Sequence, residues 1–245
     1  QQVAADAVEP TADSKEPVQP SILQQMTHLT TLSLADTRAR HNWDSSSSSA
    51  EVVLSAVQAI SKLPALQQLE LAIEYCTELP ALPASLQLLQ IHSQPGFAFK
   101  SSTGGRQLCQ LTGLQRLELH GIDSFDVKAM HSLSQLRHLV IDLRGLNYIE
   151  ELLPVLQGFT QLQHLYLSYA DPNEAYKIRA VDMEPWDAMQ LRMDEQPCAA
   201  LTVSTQLTHL EGKGFMTADA VRYMFPEGRK LPQLHTLCLD YDESG

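Results

Sequence analysis

One nine-residue pattern constrains this chain more than anything else in it. From Leu111 to Leu119 the sequence reads L-x-x-L-x-x-L-x-L, and the pattern returns from Leu63 to Leu71, Leu133 to Ile141, Phe159 to Leu167 and Leu231 to Leu239. Looser copies run from Met26 to Leu34, Leu82 to Ile91 and Thr205 to Gly212. The first leucines of the L-x-L pairs are Leu32, Leu69, Leu89, Leu117, Leu139, Leu165, Leu210 and Leu237, at intervals of 37, 20, 28, 22, 26, 45 and 27 residues. A fixed rhythm of this length marks a chain built from stacked supersecondary units. One unit cannot bury its own leucines. Stacking sets each leucine against its counterparts in a continuous row. L-x-L has the alternation of a strand, and strands spaced by such a period are parallel, joined by crossovers on one side.

On these residues the chain resembles leucine-rich-repeat proteins over roughly residues 22 to 240, whose repeats span about 20–29 residues. The variable lengths and helical connections are similar to the irregular repeats of F-box-associated and ribonuclease-inhibitor-like proteins. The unit from Leu79 to Leu89, with Pro80 and Pro83, is similar to the short L-P repeats of bacterial effectors. One family feature is missing. The Asn or Cys that usually follows the second strand leucine by three residues is replaced by Glu74, Ile122 and Ala170. The fold class expected is α/β: a leucine-rich-repeat solenoid with a curved parallel sheet on the concave side and helices and irregular segments on the convex side.

Read in order, residues 1–20 carry Pro10, Pro17 and Pro20 without an apolar period and are expected to form an extended or disordered tail. Residues 21–245 form the repeat domain, of about eight repeats. The rhythm breaks twice. A loop over 36–49 carries Arg38, Arg40, His41, Trp43 and five consecutive serines. An insert over 169–201 carries Trp186 and five acids between Asp182 and Glu195, and its length leaves room for a degenerate repeat around Met189 to Met193. Helices are expected over 51–62, around Val127 to Leu133, over 148–157 with a kink at Pro154, and from a Thr217 cap to Phe225. The two prolines of the third repeat predict an extended convex segment instead.

Composition excludes several roles. The net charge of −12 and pI of about 5.1 disfavour nucleic acid and anionic membranes, which need clustered Lys and Arg. No apolar run reaches the roughly 18 residues of a membrane span. Cys76, Cys109, Cys198 and Cys238 form no C-x-x-C pair and are expected to be reduced, mostly buried thiols of an intracellular, cytoplasmic protein. The chain lacks an initiator Met. Two readings stay open: a removed targeting segment, or a start inside a longer protein. The last strand ends five residues before the chain does, which implies a continuation or a neighbour over its open end.

Residues flanking the strand leucines face the concave side. Arg116, His138, His164 and His209 precede the first leucine; Glu118, Tyr166 and Glu211 lie between the two; His120 and Asp142 follow. With Trp43 and Trp186 from the loops, these are the candidate partner-binding residues, Trp and Tyr being favoured interface anchors. Tyr169 belongs with those anchors. Neighbouring histidines allow a metal site or a pH sensor, but no Cys or carboxylate stands at a spacing that completes a metal shell. No phosphate loop, no G-x-S-x-G and no acid–base pair in a pocket is found. The function expected is therefore non-catalytic and cofactor-free: binding of a protein with a basic surface through the concave face and loops. A structural subunit of a larger assembly and a ubiquitin-ligase substrate adaptor are the alternatives.

Overall fold

The computed structural model describes residues 2–4, 25–35, 59–73, 79, 81–93, 107–122, 127–143, 148–169, 197–216, 218–225, 227–228 and 230–241. Among the described residues nine strands form one sheet whose spatial order is the chain order. They are β1 (Gln2–Ala4), β2 (Thr31–Ala35), β3 (Gln68–Ile73), β4 (Leu88–Ser93), β5 (Arg116–Ile122), β6 (His138–Leu143), β7 (His164–Tyr169), β8 (His209–Met216) and β9 (Thr236–Tyr241). Every neighbouring pair is parallel. The fold is a leucine-rich-repeat solenoid.

Register explains the rhythm of the sequence. Leu32, Leu69, Leu89, Leu117, Leu139, Leu165, Leu210 and Leu237 pair strand to strand as one row. Leu34, Leu71, Ile91, Leu119, Ile141 and Leu167 form a second row on the same face. The two leading apolar positions of each repeat close a tight turn. The amide of Leu114 donates to Leu111 O at 2.9 Å, Leu136 to Leu133 at 3.0 Å and Leu162 to Phe159 at 3.1 Å. Both turn residues thus point inward while the two between them stay outside. Leu63, Leu66, Leu111, Leu114, Leu133 and Leu136 are all fully buried.

A second device ties successive repeats. The carbonyl of the residue two before each strand leucine accepts two amides from the next repeat. Gln87 O takes Gln115 N at 2.8 Å and Arg116 N at 3.0 Å, and Gln115 O takes Arg137 N and His138 N at the same distances. The series runs from Thr30 through Gln67, Gln87, Gln115, Arg137 and Gln163 to Thr208. Backbone bonds at the strand entrance therefore join the turns, in a chain without the usual Asn at the strand exit.

Among the described residues one of the expected helices differs. The segment around Val127 is a 3₁₀ helix, Val127–Ser132, because only 22 residues separate the strand leucines there. The two α-helices described are α1 (Tyr148–Leu156), with Pro154 inside it, and α2 (Ala218–Met224). Of the helix expected over 51–62, Ala59 and Ile60 are described and helical, and the described part of the third repeat's convex segment carries no helix. A second 3₁₀ helix, Pro197–Thr202, buries Cys198, Ala200 and Leu201. The end of the expected insert is thus a convex segment packed in the core. β7 pairs directly with β8, His164 opposite His209, so no strand of the insert comes between them. The turn of that repeat starts at Ser204, one residue before the loose sequence match.

Three further findings amend the sequence reading. Gln2–Ala4, in the expected tail, pairs with β2 and extends the sheet. β5 continues past His120 through a bulge, where register shifts between Leu119 and Ile122 and Gly121 has φ 69°. That conformation is open to glycine at little steric cost. Of the three described cysteines Cys198 alone is buried; Cys109 and Cys238 are exposed thiols.

Candidate functional site

In a strand, alternate residues face opposite sides. Because the L-x-L leucines point into the core, the residues beside them line the open face of the sheet. The register turns them into columns across β4 to β8. Arg116, His138, His164 and His209 stand side by side. Gln90, Glu118, Val140, Tyr166 and Glu211 form the next column.

Glu118 is the centre of the first cluster. It is 5% exposed, although its side chain starts on the open face. Its carboxylate is enclosed by neighbours. Arg116 Nε donates to Oε1 at 2.6 Å, Gln90 Nε2 donates to Oε2, His138 Nε2 lies 3.3 Å from Oε1 and His120 Nε2 lies 3.5 Å from Oε2. Burial alone would raise this carboxyl. Bonds from Gln90 and Arg116, the Arg116 charge and the His120 bond outweigh it and hold the group below the ordinary carboxylate range. Glu118 is therefore an ionised anchor saturated by its own molecule, and what it presents outward is the orientation of Arg116, His120 and His138.

Glu211 anchors a second cluster. Lys213 Nζ reaches Oε1 at 2.7 Å and His209 Nε2 lies 3.3 Å from Oε2. The Lys213 bond holds the Glu211 carboxyl low against partial burial, with His209 adding to the effect. Lys213 also lies 5.5 Å from the Tyr166 ring centroid, within cation–π range. A smaller third cluster joins Ser33, whose hydroxyl donates to Glu70 at 3.1 Å, and His92, 3.9 Å from the same carboxylate.

The histidines between these anchors stack. His138 and His164 have ring centroids 4.0 Å apart and planes inclined by 13°. His164 and His209 follow at 4.2 Å and 7°. His92 and His120 form a separate stack at 4.6 Å and 2°. Burial, then the charges of His138, His209 and Arg116, push His164 down to about 4 against the opposing pull of Glu211. Burial and the Arg116 charge also lower His138, against Glu118. Burial and His120 lower His92. A face-to-face stack aims its ring nitrogens side by side rather than at one point. Among the described residues no group of three or more His, Cys, Asp and Glu is arranged to hold a metal.

The structure thus brings together Arg116, Glu118, His120 and His138 in one cluster and Tyr166, His209 and Glu211 in another, with His164 stacked between them. Asp142 stands beside Ser168 on the same face but in neither cluster. Trp43 and Trp186 lie outside the described residues. Sequence reading passes over Gln90 and His92, because the proline-bearing third repeat hides that their L-x-L pair, Leu89 to Ile91, belongs to the same columns. It passes over Lys213 because the apolar alternation of β8 stops at Glu211.

No family model matches the chain, and no curated protein matches it in sequence. Among solved structures that match is an internalin of Listeria monocytogenes strain 4b F2365, with 17% identity and a TM-score of 0.42, covering 90% of this chain and 56% of that one. The chain spans little more than half the length of that structure. Among the described residues no helix is long and apolar enough to cross a membrane.

Proposed function

We propose that the chain is a non-catalytic protein-binding module that recognises a protein partner through the concave face and the long loops, 36–49 and 169–201. The observation that carries this reading is the preorganised surface of β5 to β8. Arg116, His120, His138, His209 and Lys213 are held in place by two carboxylates and by ring stacking, and Tyr166 lies under the Lys213 ammonium. Side chains already ordered before association lose little further entropy on binding, which favours affinity. The acidic balance of the chain favours a partner with a basic surface, met by Asp142, the acids of the insert and Trp186. Glu118, saturated internally, serves as an organiser rather than a direct contact.

The test is capture of a partner by the whole chain from its native source, followed by affinity measurement. H164E and Y166A are expected to weaken the captured complex at least about tenfold, while E151K on the exposed side of α1 leaves it unchanged. Equal affinity for all three would remove the concave face from the interface.

A second reading, a subunit held in a larger assembly, is favoured by one observation. Leu237 is 47% exposed, whereas its row-mates Leu69, Leu89, Leu117, Leu139, Leu165 and Leu210 are at most 1% exposed. An apolar edge of this kind favours a neighbour. A monodisperse monomer in sedimentation experiments would count against it.

A further inference from the structure

We propose that the His138–His164–His209 column is a proton-operated switch in the concave face, a flat stack that opens when its central ring takes a proton. Its basis is geometric. Three imidazoles lie face to face on adjacent strands at 4.0 and 4.2 Å. Carboxylates reach only the outer two, Glu118 at His138 and Glu211 at His209, each at 3.3 Å. Among the described residues the central ring of His164 touches no carboxylate.

The groups facing it come from every neighbouring strand. β6 supplies His138 and Asp142, with Arg137 at its entrance. β8 supplies His209, Glu211 and Lys213. β5 lies one strand further and supplies Arg116 and Glu118, and Tyr166 shares β7 itself. The two nearest acids are already bonded to Arg116 and Lys213.

Protons therefore enter this column unequally. His138 and His209 each lie beside a carboxylate. A proton on His164 sits between two like-charged rings with no anion of its own, and at 4 Å such charges repel even through water. The ring relieves this by rotating out of the stack toward solvent. The second stack provides the contrast. His92 and His120 each have a carboxylate, Glu70 at 3.9 Å and Glu118 at 3.5 Å, so neither ring is stranded. Burial and the neighbouring positive groups reinforce the order by pushing His164 down to about 4. For binding, a proton on His164 adds positive charge beside Arg116 and removes the flat surface. This last consequence rests on the reading that the concave face meets the partner.

The experiment is an NMR titration of the imidazole carbons and leucine methyls of the whole chain, from about pH 7.5 to about pH 3.5, a range spanning histidine titration. His164 is expected to titrate last, more than about one pH unit below the ordinary histidine value. Its ring contacts to His138 and His209 should vanish in that step while the methyls of Leu117 and Leu139 stay dispersed. H164F, flat but unable to take a proton, should keep the ring contacts throughout. The proposal is overturned by any of three results: His164 titrating at the ordinary histidine value, ring contacts that survive protonation, or core methyls that collapse along with the contacts. Acid-induced unstacking in H164F would also overturn it. With a captured partner, affinity should fall several-fold between about pH 5 and about pH 3.5 in the parent chain and fall less in H164F. Failure to find a concave-face partner would sink the binding reading, while the switch itself stands or falls by the NMR titration.

Discussion

Glu118 is a carboxylate on the open face of a sheet that is nonetheless nearly inaccessible, because Arg116, Gln90, His120 and His138 close over it. Replacing it by Gln removes the anion while leaving Arg116 without its partner, so E118Q should cost about 1–3 kcal/mol in urea unfolding. Its titration works in the same direction as that of His164. Glu118 is held below its ordinary value in the folded state. Its contribution is complete above the unfolded carboxyl's value and is lost as pH falls through the lower folded one. His164 stays neutral down to about 4 in the folded state against 6.5 when unfolded. The unfolded chain therefore takes that proton first, and stability falls as pH drops from about 6.5 to about 4. Unfolding midpoints measured across this range should decline in the parent chain and decline less in H164F. An identical slope in both would remove His164 as a contributor. None of this is visible from residue type alone. The sequence marks Glu118 and the histidines as surface neighbours, but the reach of Arg116 along its own strand and the bond from Gln90 depend on side-chain conformations that no spacing encodes.

The unit of architecture is the turn and strand of a single repeat, and at this level the sequence is most legible. L-x-x-L is a hydrogen-bonded turn with both ends buried, and L-x-L is a strand with one face in the core. Period and pattern agree, so register follows. Leu117→Ala, which empties the centre of the main leucine row, should cost about 2–5 kcal/mol; an unchanged thermal melt would contradict its place in the core. Where a repeat departs from leucine the structure compensates. Ser204 takes the first turn position of its repeat and is buried, its hydroxyl donating to Leu162 O at 2.7 Å, with Thr160 O 3.0 Å away. S204A leaves Leu162 O short of a donor and should cost about 1 kcal/mol in chemical denaturation. Gly121→Ala forces an L side chain to φ 69° and should cost roughly 1–2 kcal/mol. What the sequence does not show at this scale is convex geometry. Val127 to Leu133 has a helical spacing, yet the short interval between β5 and β6 tightens it to a 3₁₀ helix. The bulge at Gly121 and the run of β8 to Met216 depend on backbone conformation rather than on apolar rhythm.

At the scale of the whole molecule, contacts join neighbours in sequence order, strand to strand, so stability is close to a sum of repeat and interface terms. The ends differ from the middle for this reason: Leu237 has a repeat on one side only among the described residues, and its exposure records that asymmetry. The same linear plan separates the two surfaces. Among the described residues the side opposite the open face carries short helices and turns, and the open face carries an ordered row of cations, acids, histidines and Tyr166, where the partner is proposed to bind. The most direct measurement is position-resolved photo-crosslinking to the native partner. Crosslinkable residues would be placed one at a time at Tyr166 and Asp142 on the concave face, and at Lys128 and Glu151 on the convex side. Recognition through the concave face requires attachment from Tyr166 and Asp142 and none from Lys128 or Glu151. Attachment from the convex positions alone, with a folded chain, would contradict it.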